Sequence, residues 1–222
     1  MNTKKQTATQ HLFTNKQLRT LLVPIMVEQL LSSLMGTADT MMVSNVGSAA
    51  ISAVSLVDAI NILVIQALSA LAAGGAILCS QYLGSQNLKK AKRSAEQVLF
   101  VMLVLSCSLS LLCLIFRFPL LRLIFGTVDT DVMANSQIYF FFTLLSFPFI
   151  GLYDAGASIL RAQNNTKGPM TISILSNFLN IGGNAILIFV FGMGVAGAAI
   201  STLVSRISVS YTHLTLPTNR EV

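Results

Sequence analysis

Long apolar runs separated by short polar stretches dominate the pattern along the chain. Six of these runs approach or exceed the roughly 20 residues that a helix needs to cross about 30 Å of hydrocarbon. They lack the alternation of a transmembrane barrel, so helices are the structure that satisfies their backbone groups in lipid. The predicted segments run from about Lys16 to Val46, Ala49 to Leu83, Gln97 to Phe116, Val132 to Leu160, Met170 to Phe191, and onward from Val195. The pattern therefore predicts an all-α polytopic membrane protein, a six-helix transmembrane bundle.

A shorter apolar piece, FRFPLLRLIFG, lies between the third and fourth segments. Arg117 and Arg122 bracket its apolar residues, which is typical of a short amphipathic helix at the membrane interface. An ordinary loop is the alternative interpretation.

Composition and charge agree with a membrane protein. The chain is 54% hydrophobic and only 10% charged, with a mean hydropathy of +0.73, whereas soluble domains are about one quarter charged. If six helices alternate in direction, eleven basic residues fall on one side and only Arg117 and Arg122 on the other. The eleven are Lys4, Lys5, Lys16, Arg19, Lys89, Lys90, Lys92, Arg93, Arg161, Lys167 and Arg206. Basic residues favour the cytoplasmic side.

We therefore expect the N-terminus to lie in the cytoplasm and the chain to lie in a plasma membrane, the inner membrane of a bacterium. The net charge of +6 is then a topology signal, which makes nucleic-acid binding by KKAKR the weaker interpretation. The predicted partner is membrane lipid, with no nucleic acid.

The residues needed for catalysis are scarce. The two histidines, His11 and His213, lie outside the predicted core, and no HExxH, GxSxG or phosphate-binding loop occurs. The three cysteines fall within apolar segments, where they act as small packing residues, and no metal-binding spacing occurs. We expect no enzyme activity and no cofactor.

The first segment contains two carboxylates in apolar surroundings. Glu28 precedes Asp39 by eleven residues, close to three helical turns, so both should lie on one face with Gly36. A charge at mid-membrane costs at least about 2.5 kcal/mol, so such residues usually face a bundle interior and are functional. Pro24 would bend this helix and leave the carbonyl of Thr20 in need of another partner. Pro24, Glu28 and Gly36 are thus predicted to form a hinge and a polar face.

The fifth segment carries a polar stripe. Ser173, Asn177, Asn180 and Asn184 follow spacings of four, three and four, which places them on one helix face. Asparagine supplies carbonyl oxygens for a hard cation and amide donors for a carboxylate. Interhelical hydrogen bonding that only holds the bundle together is the alternative.

Two further acidic residues in apolar segments have a weaker claim to function. Asp58 lies early in the second segment, and Asp154 precedes Arg161 by seven residues in the fourth. Each is interpreted as solvated or paired.

The end of the chain differs in composition. VSYTHLTLPTNREV contains Thr, Pro and Asn, which suit neither lipid nor a helix. It resembles a translated sequencing-adapter read-through, and a genuine short polar tail is the alternative. We expect the sixth helix to be truncated near residue 208 and residues 209 to 222 to be a non-native, unpacked tail.

Three motifs together resemble one known family. They are PIMVEQLLSSLMGTADTMMVSNVGSAAISAVSLVD, SQYLGSQNLKKAKRSAEQ, and RAQNNTKGPMTISILSNFLNIGGNAILIFVFGMGVAGAAISTLVSR. These motifs, in this order, resemble those of the multidrug and toxic compound extrusion (MATE) family of cation-coupled efflux transporters. The family has twelve helices in two lobes, and the resemblance implies that residues 16 to 208 form the N-terminal lobe. Residues 1 to 15 would be a polar cytoplasmic N-terminus, and the C-terminal lobe would be missing.

The resemblance also implies a site. Asp39 matches the family's first-helix aspartate that binds the coupling proton or sodium, and Asn180 matches an asparagine of the same site. Asn184 stands where some members have aspartate, and Thr202 is a possible further ligand. Asp154 departs from the asparagine common at its position.

The implied function is proton- or sodium-coupled export of amphipathic, mainly cationic drugs or toxic compounds. Sodium at Asp39 is the one metal ion implied. The alternatives are a lipid-linked oligosaccharide flippase of the same superfamily and a non-transporting membrane scaffold.

Overall fold

The computed structural model describes residues 14 to 215, with side chains through Thr212, and this part of the chain consists of helices joined by short turns. Predictions for Lys4, Lys5, His11, the side chain of His213 and residues 216 to 222 lie outside the described part. The helices are α1 (Asn15–Val43), α2 (Ser48–Gly84), α3 (Leu88–Ile115), α4 (Arg117–Phe125), α5 (Thr130–Ala162), α6 (Lys167–Asn184) and α7 (Gly194–Thr215); a π-helical turn, Ala185–Val190, follows α6.

Five of the described helices are long and apolar enough to cross a membrane. They are α1, α2, α3, α5, and α6 with its π-helical turn. The predicted all-α membrane fold is confirmed, although α7 is not among the five. The region between the third and fourth segments is a helix, α4, rather than a loop.

The third helix begins at Leu88, nine residues before the predicted start near Gln97. The side chain of Asn87 accepts a hydrogen bond from the backbone N–H of Lys90 at 3.2 Å and so caps the helix. Lys and Arg are good helix formers, so the basic cluster KKAKR forms the first turns of α3 instead of a loop. The prediction was wrong because it placed the helix start where hydrophobicity begins.

The sixth predicted helix, α7, continues to Thr215. Val209 and Ser210 are both buried. The expectation that the chain unpacks from residue 209 is therefore wrong for these two residues. No proline or glycine occurs between Ile200 and Thr215, so the sequence contains no helix-breaking residue near the predicted end at residue 208. The origin of the terminal sequence stays a prediction.

Helix α5 lies at the centre of the bundle. Tyr139, Phe140, Leu144 and Phe147 are all nearly inaccessible to solvent, and they pack in a cluster with Val54 of α2 and residues of α7. Large apolar side chains cover much of the outer surface of the helices, as lipid contact requires. The polar side chains described below lie between the helices.

Helix α1 contacts the bundle less extensively. A capping box formed by Thr14 and Gln17 begins it, and Pro24 lies within it. The Thr20 carbonyl, which Pro24 leaves without a helical N–H partner, accepts a hydrogen bond from Thr166 Oγ1 at 3.4 Å. The expectation that this carbonyl needs another partner is confirmed.

Candidate functional site between α1, α6 and α7

The buried face of α1 is formed by only four residues, and two of them are acidic. They are Pro24, Glu28, Asp39 and Val43. The spacings of 4, 11 and 4 residues place all four on one side of the helix. Glu28 and Asp39 are 5% and 3% exposed, which confirms that they share an inward face. They meet different partners.

Asp39 accepts hydrogen bonds from two other helices. Asn184 Nδ2, at the end of α6, donates to its Oδ1. Thr202 Oγ1, in α7, donates to its Oδ2 at 3.2 Å. Both carboxylate oxygens are thus engaged in a region remote from solvent, and this geometry links α1 to two helices that are distant in sequence.

A second layer of contacts supports these donors. Asn180 Nδ2 donates to Thr202 Oγ1 at 3.1 Å, and Asn184 Nδ2 also lies 3.5 Å from Asn180 Oδ1. Ser201 Oγ donates to the backbone carbonyl of Asn180 at 2.8 Å. This close packing depends on Gly183, because a Cβ there would collide with Ser201 Oγ. The structure therefore brings together the four candidate residues Asp39, Asn180, Asn184 and Thr202.

The site is rich in oxygen atoms of the type that bind hard cations. Besides the carboxylate it offers the Asn180 and Asn184 carbonyl oxygens and the Thr202 hydroxyl. Asn184 Oδ1 is buried and accepts no hydrogen bond from any described residue, so it is available to a ligand. The described residues contain no cluster of three His, Cys, Asp or Glu side chains, so the single carboxylate of Asp39 would supply the site's negative charge.

Ser173 and Asn177, in the N-terminal half of the polar stripe on α6, do not contact Asp39. Asn177 Nδ2 donates to the Ser173 carbonyl at 2.9 Å, and both residues line a separate cavity of about 160 Å³. The predicted common face is therefore present, but only Asn180 and Asn184 reach Asp39.

Glu28 lies in a second polar cluster, near the other end of the inward face. Arg161 Nη1 donates to its two oxygens at 3.0 and 2.9 Å, and Tyr153 OH donates to Oε1 at 3.0 Å. We call Glu28, Tyr153 and Arg161 the α1–α5 triad. Sequence analysis assigned Arg161 to a cytoplasmic loop and missed this pair, although a buried carboxylate needs a partner of this kind.

Arg206 is also placed differently from the prediction. It lies on α7, half-buried at the cavity, where its Nη1 donates to Ser146 Oγ at 2.6 Å. It is therefore part of the bundle interior. The cavity was not predicted, because its lining comes from five helices.

Asp58 and Asp154, the two further acidic residues within apolar segments, are hydrogen-bonded or enclosed rather than solvated. Asp58 Oδ1 accepts hydrogen bonds from Asn61 Nδ2 and Tyr139 OH, each at 3.2 Å. Asp154 is 7% exposed and lines the cavity, and no described residue hydrogen-bonds its Oδ2.

Buried amides and carboxylates within a bundle of apolar helices are typical of ion and substrate pathways through membranes. The family model MatE matches residues 24 to 186, and the chain belongs to this family of membrane transporters. The "Uncharacterized transporter YisQ" of Bacillus subtilis is 33% identical over 189 residues, which are 83% of this chain and 41% of YisQ.

Two other similar proteins agree. The "Probable multidrug resistance protein NorM" of Thermotoga maritima is 29% identical, over 86% of this chain and 42% of NorM. A solved MOP superfamily transporter from Pyrococcus furiosus superposes with a TM-score of 0.85 at 26% identity, over 93% of this chain and 46% of that one. The chain thus spans less than half the length of these proteins.

Proposed function

We propose that this chain is the N-terminal lobe of an antiporter that exports amphipathic compounds in exchange for a proton or sodium ion. The coupling ion would bind at Asp39, with Asn180, Asn184 and Thr202 around it. The observation that supports this best is the buried Asp39 carboxylate, whose two oxygens contact α6 and α7. An ion that changes the charge of Asp39 would act on three helices at once.

Helix α1 has features suited to transmitting such a change. Pro24 interrupts its backbone hydrogen bonding. Thr40 Oγ1 donates to the Gly36 carbonyl at 3.0 Å, a contact that often bends helices, and no atom would lie within 4 Å of a Cβ at Gly36. In the proposed mechanism, ion binding at Asp39 changes the contact with Asn184 and Thr202 and α1 bends near Gly36. Alternating access around a mid-membrane site then releases substrate outside.

The site is compatible with either coupling ion. Asn184 supplies a neutral oxygen where a second carboxylate would favour sodium electrostatically, so the site has one negative charge to offer. A proton would bind the Asp39 carboxyl alone, whereas sodium would also recruit the amide and hydroxyl oxygens.

The substrate side of the proposal rests on the family. The NorM relative is named a probable multidrug resistance protein, and we infer amphipathic, mainly cationic substrates. We infer that the chain lies in a bacterial inner membrane with its N-terminus in the cytoplasm, and the distribution of basic residues supports this orientation.

A flippase for lipid-linked anions is the second candidate, because Arg161 and Arg206 both line the cavity. It is weaker, because Glu28 directly neutralises Arg161.

Ion binding to the 222-residue chain in lipid nanodiscs tests the proposed site. Calorimetric titration with sodium chloride at high pH, where protons are scarce, should give a saturable heat that choline chloride does not give if sodium couples. If protons couple, proton uptake between about pH 8 and about pH 5.5, a range in which exposed carboxyl groups stay ionised, should be smaller in Asp39→Asn than in the unaltered chain and unchanged in the control. Asp129→Asn, an exposed change outside the bundle interior, is the matched control. The proposed site would be refuted if sodium gave no saturable heat and if Asp39→Asn took up as many protons as the unaltered chain.

A further inference from the structure

Asp154 is the acidic residue of the cavity that the proposed coupling site does not use. It lies on the inward face of the central helix α5 and is 7% exposed. Its Oδ2 atom is fully buried and accepts no hydrogen bond from any residue between 14 and 215. A buried carboxylate oxygen without a donor is unusual and costly.

The charged groups that act on Asp154 come from three helices. They are Arg161 on its own helix, Glu28 on α1 and Arg206 on α7, and Tyr153 is the neighbouring titratable phenol. The cavity residues contributed by α2 and α6 are Ile65, Gln66, Ser69, Ser173, Ser176 and Asn177, which do not titrate. In the described part of the cavity, the ionisable groups around Asp154 are therefore Glu28, Tyr153, Arg161 and Arg206.

Neither arginine forms a direct ion pair with Asp154. Arg161 contacts Glu28 at 2.9 Å, and Arg206 donates to Ser146. Arg161 and Glu28 cancel each other's charge. Arg206 attracts Asp154 from a distance, but it faces Asp39 and Asp58 as well, so three carboxyl groups share one positive charge.

We propose that Asp154 is a second proton-carrying residue of this lobe, separate from the ion site at Asp39. As the neutral acid, Asp154 does not require the missing counter-ion. Proton uptake forms one O–H bond on the carboxylate, and release returns the proton to water or to a cavity group. The proposal extends the proposed function and rests on it only for the use of this proton in transport.

The cavity favours a proton over a metal ion at this position. Sodium would need several oxygen ligands in place of its water shell, and the Arg206 guanidinium repels a cation placed in this cavity. A proton resides on the carboxyl oxygen itself and needs no ligand shell. Asp154 also stands where the resemblance leads us to expect asparagine, so this carboxyl group is a feature of this chain.

Infrared spectroscopy of the 222-residue chain in lipid nanodiscs tests the proposal directly. A protonated carboxylic acid has a carbonyl stretching band that ionised carboxylates and amides lack. At neutral pH, Asp154→Asn should remove one such band from the spectrum of the unaltered chain, and Asp154→Glu should keep it at a shifted position. Asp58→Asn, which removes the hydrogen-bonded carboxyl, is the matched control and should leave the band in place.

Three results would overturn the assignment. One is an acid carbonyl region at neutral pH that is identical in the unaltered chain and in Asp154→Asn. Another is an acid carbonyl band in Asp154→Glu at the same position as in the unaltered chain. This second result can be measured even if Asp154→Asn does not fold. The third is loss of the band when sodium replaces choline, because a metal ion would then displace the proton. These outcomes are independent of ion binding at Asp39, so failure here is distinguishable from failure of the proposed function.

Discussion

The α1–α5 triad predicts a strong energetic coupling between Glu28 and Arg161. Their side chains are 7% and 24% exposed, and the shortest N–O distance is 2.9 Å. Removing one member of a buried ion pair costs about 3 to 5 kcal/mol, whereas an exposed pair contributes at most about 1 kcal/mol. Because Arg161 retains some exposure, we expect Glu28→Ala to lower the free energy of unfolding by about 2 to 3 kcal/mol.

The reason for this cost is the charge left behind. Glu28→Ala leaves the Arg161 guanidinium without its carboxylate and also removes the acceptor of the Tyr153 hydroxyl. The double variant Glu28→Ala/Arg161→Ala removes the uncompensated charge as well. It should therefore be less destabilised than the sum of the two single variants, by about 1 to 2 kcal/mol.

Reversible unfolding in mixed micelles, followed by circular dichroism, measures these values. Arg122→Ala, on the exposed face of α4, is the matched control and should change stability by at most about 0.5 kcal/mol. If the double variant equals the sum of the single variants within about 0.5 kcal/mol, the triad does not couple α1 to α5.

Two further predictions concern the packing of α6 and α1. Gly183→Ala should destabilise the chain by about 1 to 3 kcal/mol, because its Cβ would collide with Ser201 Oγ. Gly182→Ala, whose Cβ would have no atom within 4 Å, should be neutral or stabilising. Equal unfolding midpoints for the two variants would contradict this difference. Thr166→Val should cost about 1 kcal/mol and speed hydrogen exchange around Thr20 and Pro24, because the Thr20 carbonyl loses its donor. Unchanged exchange in mass spectrometry would show that the Thr166 contact does not support the interrupted turn.

The candidate site could be predicted in part because its two halves follow helical periodicity. The four-residue spacing of Asn180 and Asn184 and the eleven-residue spacing of Glu28 and Asp39 place each pair on one helix face. Periodicity cannot say which faces meet, and Asn184 is 145 residues from Asp39. The family resemblance supplied that connection, and the geometry agrees with it.

The features that sequence analysis missed depend on packing between distant helices. Arg161 could be interpreted as a topology signal because its partner Glu28 is 133 residues away in the chain, on another helix. Arg206 was interpreted in the same way, although α7 places it inside the bundle. Element boundaries were missed where polar residues are compatible with a helix, at the start of α3 and the end of α7.

The central claim is that a titratable or ion-binding carboxylate at Asp39 couples ion movement to export. Ethidium efflux from vesicles, driven by an imposed sodium or proton gradient, tests it most directly in the protein produced from the complete gene. Asp39→Asn preserves size and keeps one of the two acceptor oxygens that Asn184 and Thr202 contact, but it carries no charge and cannot titrate. We therefore expect normal abundance and loss of gradient-driven efflux, with Asn184→Ala reducing efflux less. Full gradient-driven efflux by Asp39→Asn would contradict the account and leave Asp39 as a packing residue.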